Sequence, residues 1–277
     1  MEVLFVRERG RAAELRSNFP TITEDLVSSA GSTRILWRWG SKVDYMPRFE
    51  TPRLEVNPLG VCQLSADKPA VRRLCLGNDI RIPKTYFTAA EARQHFATKV
   101  TPLIWRPRSH YAGQNFVVVN NQGEVTQEGG YWSELLEKTN EYRVYVLFGR
   151  VLGVDEKIVE DKTQVAWNHA QGGRFEVLHW DKWPSVACWF STKLAHRMSM
   201  HFGAFDLIKT DGKLFMLEVN SSPAMTSVYK LDLLRRSVAW LESAVTANGD
   251  QLPQIAAPLD NLVKGYRHYI HPLHNLG

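Results

Sequence analysis

Apolar and polar positions follow one another most tellingly in two runs late in the chain. These are Gly203-Ala-Phe-Asp206-Leu-Ile and Leu214-Phe-Met-Leu-Glu218-Val-Asn220, separated by Thr210-Asp-Gly-Lys213. Two apolar runs joined by a glycine-containing turn predict an antiparallel hairpin. Each run carries a carboxylate, Asp206 or Glu218, where the pattern calls for an apolar residue. An isolated buried carboxylate is costly, so both acids need a partner, and one divalent cation would serve both with Asn220 as a further oxygen donor. Register decides whether they can share it. A two-residue Asp211-Gly212 loop pairs Asp206 with Leu217 and sends the two acids to opposite faces. A three-residue loop with a bulge at the glycine sets Asp206 opposite Glu218. A shared metal thus predicts the bulged or longer turn, and an edge hairpin with solvent-facing acids is the alternative.

Elsewhere the periodicity predicts strands over Met1–Val6 and Arg34–Trp39. It predicts a helix over Asp67–Leu76, with Asp67 as cap and Pro69 in its first turn. Thr88-Ala-Ala-Glu91 is a capping box opening a second helix towards Ala97. Strands are expected at Leu103–Arg106, Asn115–Val119 and Glu124–Thr126. A hairpin follows, Glu141–Leu147 with Arg150–Val159, turning through Phe148-Gly149. Val186, Trp189, Phe190, Leu194 and Met198 recur at helical spacing within a helix expected over Ser185–Phe202, and that stripe reads as core. Leu231–Val245 makes a further amphipathic helix. Strands and helices delivered in groups, without strict βαβ alternation, predict an α+β protein.

At 277 residues the chain can bury a substantial core. Its net charge of +5 suits phosphate-bearing ligands, yet acids and bases are interleaved and no basic tract points to nucleic acid. Three scattered cysteines, Cys62, Cys75 and Cys188, suggest neither a disulfide framework nor a zinc site. No apolar run reaches spanning length and Met1–Arg7 lacks the design of a signal peptide, so a soluble cytoplasmic protein without a membrane partner is expected. No Ser-His-Asp or Cys-His pattern suggests a protein nucleophile.

Taken in order, the polar landmarks resemble the ATP-grasp superfamily of carboxylate-amine ligases across roughly residues 60 to 228. The landmarks are Asp67-Lys68, Ile80-Arg-Ile-Pro-Lys-Thr85, Ile104-Trp-Arg106-Pro-Arg-Ser-His-Tyr-Ala-Gly113, Glu141-Tyr-Arg143-Val, Asp155-Glu-Lys157, and Asp206 with Glu218-Val-Asn220-Ser-Ser-Pro223. The chain looks similar to small stand-alone members such as the ribosomal-protein glutamate ligases and phage-encoded relatives; in the latter case the compartment is the host cytoplasm. The resemblance implies two α+β subdomains clasping a nucleotide, preceded by a small α/β domain. The implied division is 1–85 as the N-terminal domain, 86–138 as the small lid subdomain, 139–248 as the large subdomain with the metal site, and 249–277 as an extension.

The resemblance also implies ATP and Mg²⁺ (or Mn²⁺) as cofactors, with Asp206, Glu218 and Asn220 as metal ligands. Arg106 stands where the family usually carries a phosphate-binding lysine. It keeps the charge and adds a fork, but is not an equivalent replacement. Lys157 is expected on phosphate and Arg143 on the substrate or the transferred phosphoryl group. The loop around Gly113 is expected to cover the phosphates. Glu134, Leu135 and Leu136 are expected to line the base, with Glu137 on the ribose. The implied reaction joins a carboxylate substrate to an amine acceptor (an amino acid, peptide or protein) through an acyl phosphate. A phosphotransferase, or a degenerate scaffold with a binding role, is the alternative. Related ligases are often dimers or tetramers, and nothing in the sequence selects an oligomeric state.

Overall fold

The computed structural model describes residues 3–8, 13–23, 33–46, 53–108, 115–167, 172–258 and 269–272. Three sheets organise them. The first contains β1 (Val3–Arg7), β2 (Thr21–Thr23), β3 (Ile35–Trp39) and β4 (Leu54–Val56), in the order β2-β1-β3-β4 with every pair parallel. The short edge strands β2 and β4, three residues each, carry no readable periodicity, which is why only two strands are predicted here. A short helix, α1 (Ala13–Arg16), lies between β1 and β2. After β4 come α2 (Leu59–Ala66) and α3 (Lys68–Leu76). Asp67 caps α3 by accepting from the Ala70 N–H at 3.2 Å.

The second sheet runs β5 (Thr85–Tyr86), β8 (Gly130–Glu134), β6 (Leu103–Pro107), β7 (Val117–Val119), all antiparallel. It packs with α4 (Ala89–Phe96), which opens on the expected capping box. The strand expected at Glu124–Thr126 is instead a 3₁₀ turn at Gln122–Glu124. Asn121 caps it, so the polar pair wins over weak alternation.

The third sheet has the order β11-β10-β9-β12-β13, from β9 (Asn140–Leu147), β10 (Arg150–Ile158), β11 (Arg174–Val177), β12 (Phe202–Thr210) and β13 (Lys213–Asn220). One face buries Val144, Val146, Val154, Phe205, Leu207 and Val219 against α5 (Ser185–Arg197). Helix α5 stops short of the expected Phe202 because Ser199 adopts a left-handed conformation, φ 53°. Phe190, Leu194 and Met198 are buried as the stripe predicts. At one end of the opposite face Tyr145, Leu147, Phe202 and Ala204 lie under α6 (Val228–Ala247) and the first sheet. Farther along, that face carries Glu141, Arg143, Asp155, Lys157 and Asp206 among apolar neighbours such as Ile208 and Val177. No helix among the described residues is long and apolar enough to cross a membrane.

Candidate active site

Strand alternation puts Glu141 and Arg143 of β9, Asp155 and Lys157 of β10, and Asp206 of β12 on one face. The hairpin β12–β13 adds Glu218, though not by the expected turn. Thr210 pairs with Lys213, so the loop is the plain two-residue Asp211-Gly212, with φ of 47° and 71°. The register is corrected farther along, where Leu207 pairs with Met216 but Asp206 pairs with Glu218. Leu217 is the extra residue of a β-bulge within the strand. The bulge undoes what the tight turn would impose, and Asp206 and Glu218 stand opposite each other. A single rung across the sheet then reads Val177, Asp155, Arg143, Asp206, Glu218.

Opposite charges pair through much of this face. Arg143 grips Asp206 with Nε at 2.7 Å and Nη2 at 2.8 Å from its two oxygens. Lys157 donates to Asp206 Oδ2 at 3.2 Å and to Glu141, which also pairs with Lys138. Burial alone would raise the Asp206 carboxyl, but Arg143, then Lys157, outweigh it and hold it far below the usual carboxylate range. Glu141 is likewise lowered, Lys157 and Lys138 overcoming its burial. Burial pulls the Lys157 ammonium down, and Asp206 and Glu141 overcome that to raise it.

Glu218 accepts from Lys68 Nζ at 2.9 Å. Among the described residues no group of three or more His, Cys, Asp or Glu side chains is placed to hold a metal. Two carboxylates and the Asn220 amide are hard oxygen donors of the kind Mg²⁺ takes, too few to cage it alone. They fit an ion that shares its remaining positions with phosphate oxygens and water. Arg143 and Lys157 use part of the acceptor capacity of Asp206, and an ionised carboxylate offers about four lone-pair sites.

Between the second and third sheets lies an open cleft, with Ile104, Leu135, Leu136, Ile208 and Leu217 among its walls. Glu134, Arg106, Ser133 and Lys138 also line it. Arg106, on β6, donates to Ser133 Oγ at 3.4 Å, a long bond for a guanidinium with five N–H groups. Burial pushes its charged form down, and Arg72 adds to that. Glu134 is paired with Lys99 at 3.0 Å, and the Leu135 N–H is given to the Pro102 carbonyl at 2.9 Å. Glu137 is exposed and does not line the cleft. Gly113 and its loop lie outside the described residues.

The structure thus brings Arg143, Lys157, Asp206 and Glu218 together, with Arg106 and the Glu134–Leu136 segment on the opposing sheet. Lys68, Arg72, Lys138 and Glu141 were assigned no role from sequence. For Lys138 and Glu141 the available signal was an i,i+3 pair of opposite charge entering an apolar strand.

No protein-family model matches the chain, and no curated protein matches it in sequence. Solved structures do match in shape. D-alanine–D-alanine ligase from Bacillus anthracis, complexed with ATP, is 13% identical with a TM-score of 0.62, over 90% of this chain and 100% of that one. The ATP-grasp ligase PsnB, complexed with a variant precursor, Mg and ADP, is 14% identical with a TM-score of 0.59, over 84% and 97%. A RimK-domain ATP-grasp protein from Sphaerobacter thermophilus is 16% identical with a TM-score of 0.56, over 86% and 96%. Shared over most of each chain at such low identity, it is the architecture that has been kept: this chain has the ATP-grasp fold.

Proposed function

We propose that the chain is an ATP- and Mg²⁺-dependent ligase that joins a carboxylate to an amine through an acyl phosphate. The observation that carries this is the rung in which a strand bulge sets Glu218 opposite Asp206, with Arg143 beside them. Across the cleft, Arg106 has few internal acceptors for its donors. In this proposal the apolar walls take the adenine between the sheets, with Glu134, Leu135 and Leu136 along its edge and Glu137 reaching the ribose. Residues 86–138 form the lid subdomain that carries Arg106 and Gly113. Residues 139–248 form the large subdomain, residues 1–85 the preceding domain and residues 249–277 the extension.

Asp206, Glu218 and Asn220 would hold the cation, which when bound neutralises charge on the β- and γ-phosphates. Arg106 and Lys157 bind phosphate oxygens. Arg143, fixed by Asp206, orients the transferred phosphoryl group towards the acid substrate. Such a site works by positioning and electrostatics and requires no protein nucleophile, in keeping with the chemistry of acyl transfer from a phosphate. One neighbour of the same fold is a D-alanine–D-alanine ligase by name and another, the ligase PsnB, is complexed with a precursor peptide, which favours an amino acid, peptide or protein as the amine acceptor.

The test is direct. ATP with Mg²⁺ should raise the melting temperature, and EDTA should remove most of that gain. Amino acids and peptides are then screened for stimulated ADP release with product analysis. An amide with ADP and phosphate is the expected outcome. A phosphorylated acceptor would make the chain a kinase, and failure to bind nucleotide would leave a degenerate scaffold.

A further inference from the structure

β13 is the edge strand of its sheet, so the carbonyls on its outer side have no strand partner. Helix α3 supplies donors in their place, and the segment after it an acceptor for an outward N–H. Lys68 Nζ donates to the Val219 carbonyl at 2.8 Å and Arg72 Nη2 to the Leu217 carbonyl at 3.3 Å. Farther on, the Met216 N–H is bonded to the Arg81 carbonyl at 2.8 Å. The match is metrical. Residues i and i+4 on a helix are about 6 Å apart along its axis, and alternate residues of a strand about 6.6 Å. Two basic side chains one helical turn apart can therefore reach successive outward carbonyls. Those two carbonyls flank Glu218, and one belongs to Leu217, the extra residue of the bulge.

Arg72 is the more buried of the two. It is only 3% exposed, donates to Thr85 Oγ1 at 3.0 Å, and lies with its guanidinium 4.9 Å from the Tyr131 ring centroid. Its head is thus fixed by β5 and β8 of the opposing sheet while it holds the bulge of β13. One residue upstream of Lys68, Asp67 pairs with Arg108, just beyond the end of the strand that carries Arg106. Residues 67–72 therefore tie the phosphate-facing strand to the metal-facing strand.

We propose that Arg72 is a positioning residue for the metal site: by fixing the Leu217 bulge it holds Glu218 opposite Asp206 in the geometry that admits the cation. This rests on the metal assignment above. The test uses the full chain, Mn²⁺ as a spectroscopically visible ion, and ADP. Wild type should bind Mn²⁺ more tightly when ADP is present. Arg72→Met should weaken that Mn²⁺ affinity about tenfold, the scale of an outer-shell loss. Its ADP affinity in EDTA should stay within about twofold, and Arg72→Lys should recover part of the loss.

Asn78→Ala, which removes a bond within the same helical unit, tests mere destabilisation and should leave Mn²⁺ binding unchanged. Should Arg72→Met fail to fold, Arg72→Lys and Thr85→Val take its place, each with a smaller loss in the same direction. Mn²⁺ affinity within about twofold of wild type in the folded Arg72 variants overturns the inference and leaves the ligase reading intact. A wild type whose Mn²⁺ affinity ignores ADP overturns the metal assignment itself, and the inference with it.

Discussion

Two arginines stand on opposite sheets, Arg106 on the wall of the cleft and Arg143 on the charged face of the third sheet, and their surroundings differ. Arg143 is held by both oxygens of Asp206 within a chain of buried partners that continues through Lys157 and Glu141 to Lys138. Arg106 reaches one serine hydroxyl at 3.4 Å. Taking a charge out of water is costly unless partners replace the water, so the first arrangement is balanced in charge as folded, with acceptor capacity left on Asp206, and the second gains most from an incoming anion. The contrast separates a part of the site that the protein satisfies internally from a part that a ligand would satisfy. Mutations on the two sides should therefore fail differently.

The largest effect belongs to the satisfied side. Asp206→Asn removes the charge that balances Arg143 and Lys157 together with a proposed metal ligand. Turnover should fall at least about a thousandfold, as for loss of a principal electrostatic contact. Stability should fall too, by about 3 kcal/mol or more, since breaking one partner of a buried network leaves the others uncompensated. Glu218→Gln should be as damaging to turnover with a much smaller loss of stability, because its side chain is 28% exposed and Lys68 keeps the Val219 carbonyl. Kinetics with melting curves on both variants checks this. Full activity in either would sink the metal assignment.

On the other side, Arg106→Met should cost binding but not stability. A charge-assisted hydrogen bond contributes about 1.5–3 kcal/mol, so ATP affinity should drop about ten- to a hundredfold. The melting temperature of the nucleotide-free protein should hold or rise, because a poorly satisfied, half-buried cation has been replaced by apolar bulk. Calorimetric titration with ATP and a melting curve decide it. A large loss of stability would place Arg106 with Arg143 as a structural cation and erase the distinction between the two sheets.

How much of this was legible beforehand depended on whether the signal was local. The capping box at Thr88–Glu91, the Asp67 cap and the Phe148-Gly149 hairpin turn are set by neighbours in sequence, and all three form. The juxtaposition of Asp206 and Glu218 was anticipated, but by the wrong device. A turn can be guessed from Asp-Gly, whereas the bulge at Leu217 carries no local signature. It is held from outside the hairpin by Arg72, about 145 residues away in sequence. Lys68, Arg72 and Lys138 escaped for the same reason. A lysine or arginine at a helix start or strand entrance looks like surface until tertiary packing buries it.

The last difference between the two sides is in acid. Asp206, held ionised by Arg143 and Lys157, keeps its full contribution above the unfolded carboxylate range and loses it progressively as pH falls below that range. The first titration to trouble the fold should therefore lie elsewhere, at the entrance to β12. His201, one residue before that strand, accepts the Asn57 N–H on Nδ1 at 3.0 Å and stacks on Phe148 at 4.9 Å. Burial pushes its pKa down to about 4. A base buried neutral stabilises fully above its unfolded value of about 6.5, and the advantage is lost as pH falls through that value towards 4. Asn57 also exchanges two side-chain bonds with the backbone of Phe202, at 2.8 and 2.9 Å, so protonation of His201 would strain the contact between the first sheet and the start of the strand bearing Asp206. Melting temperature should therefore decline from about pH 6.5 to 4, by an amount worth on the order of 2–3 kcal/mol. In His201→Gln that decline should flatten. A slope unchanged in the variant would return the acid sensitivity to the carboxylates and remove the claim that the Asp206 network outlasts its surroundings.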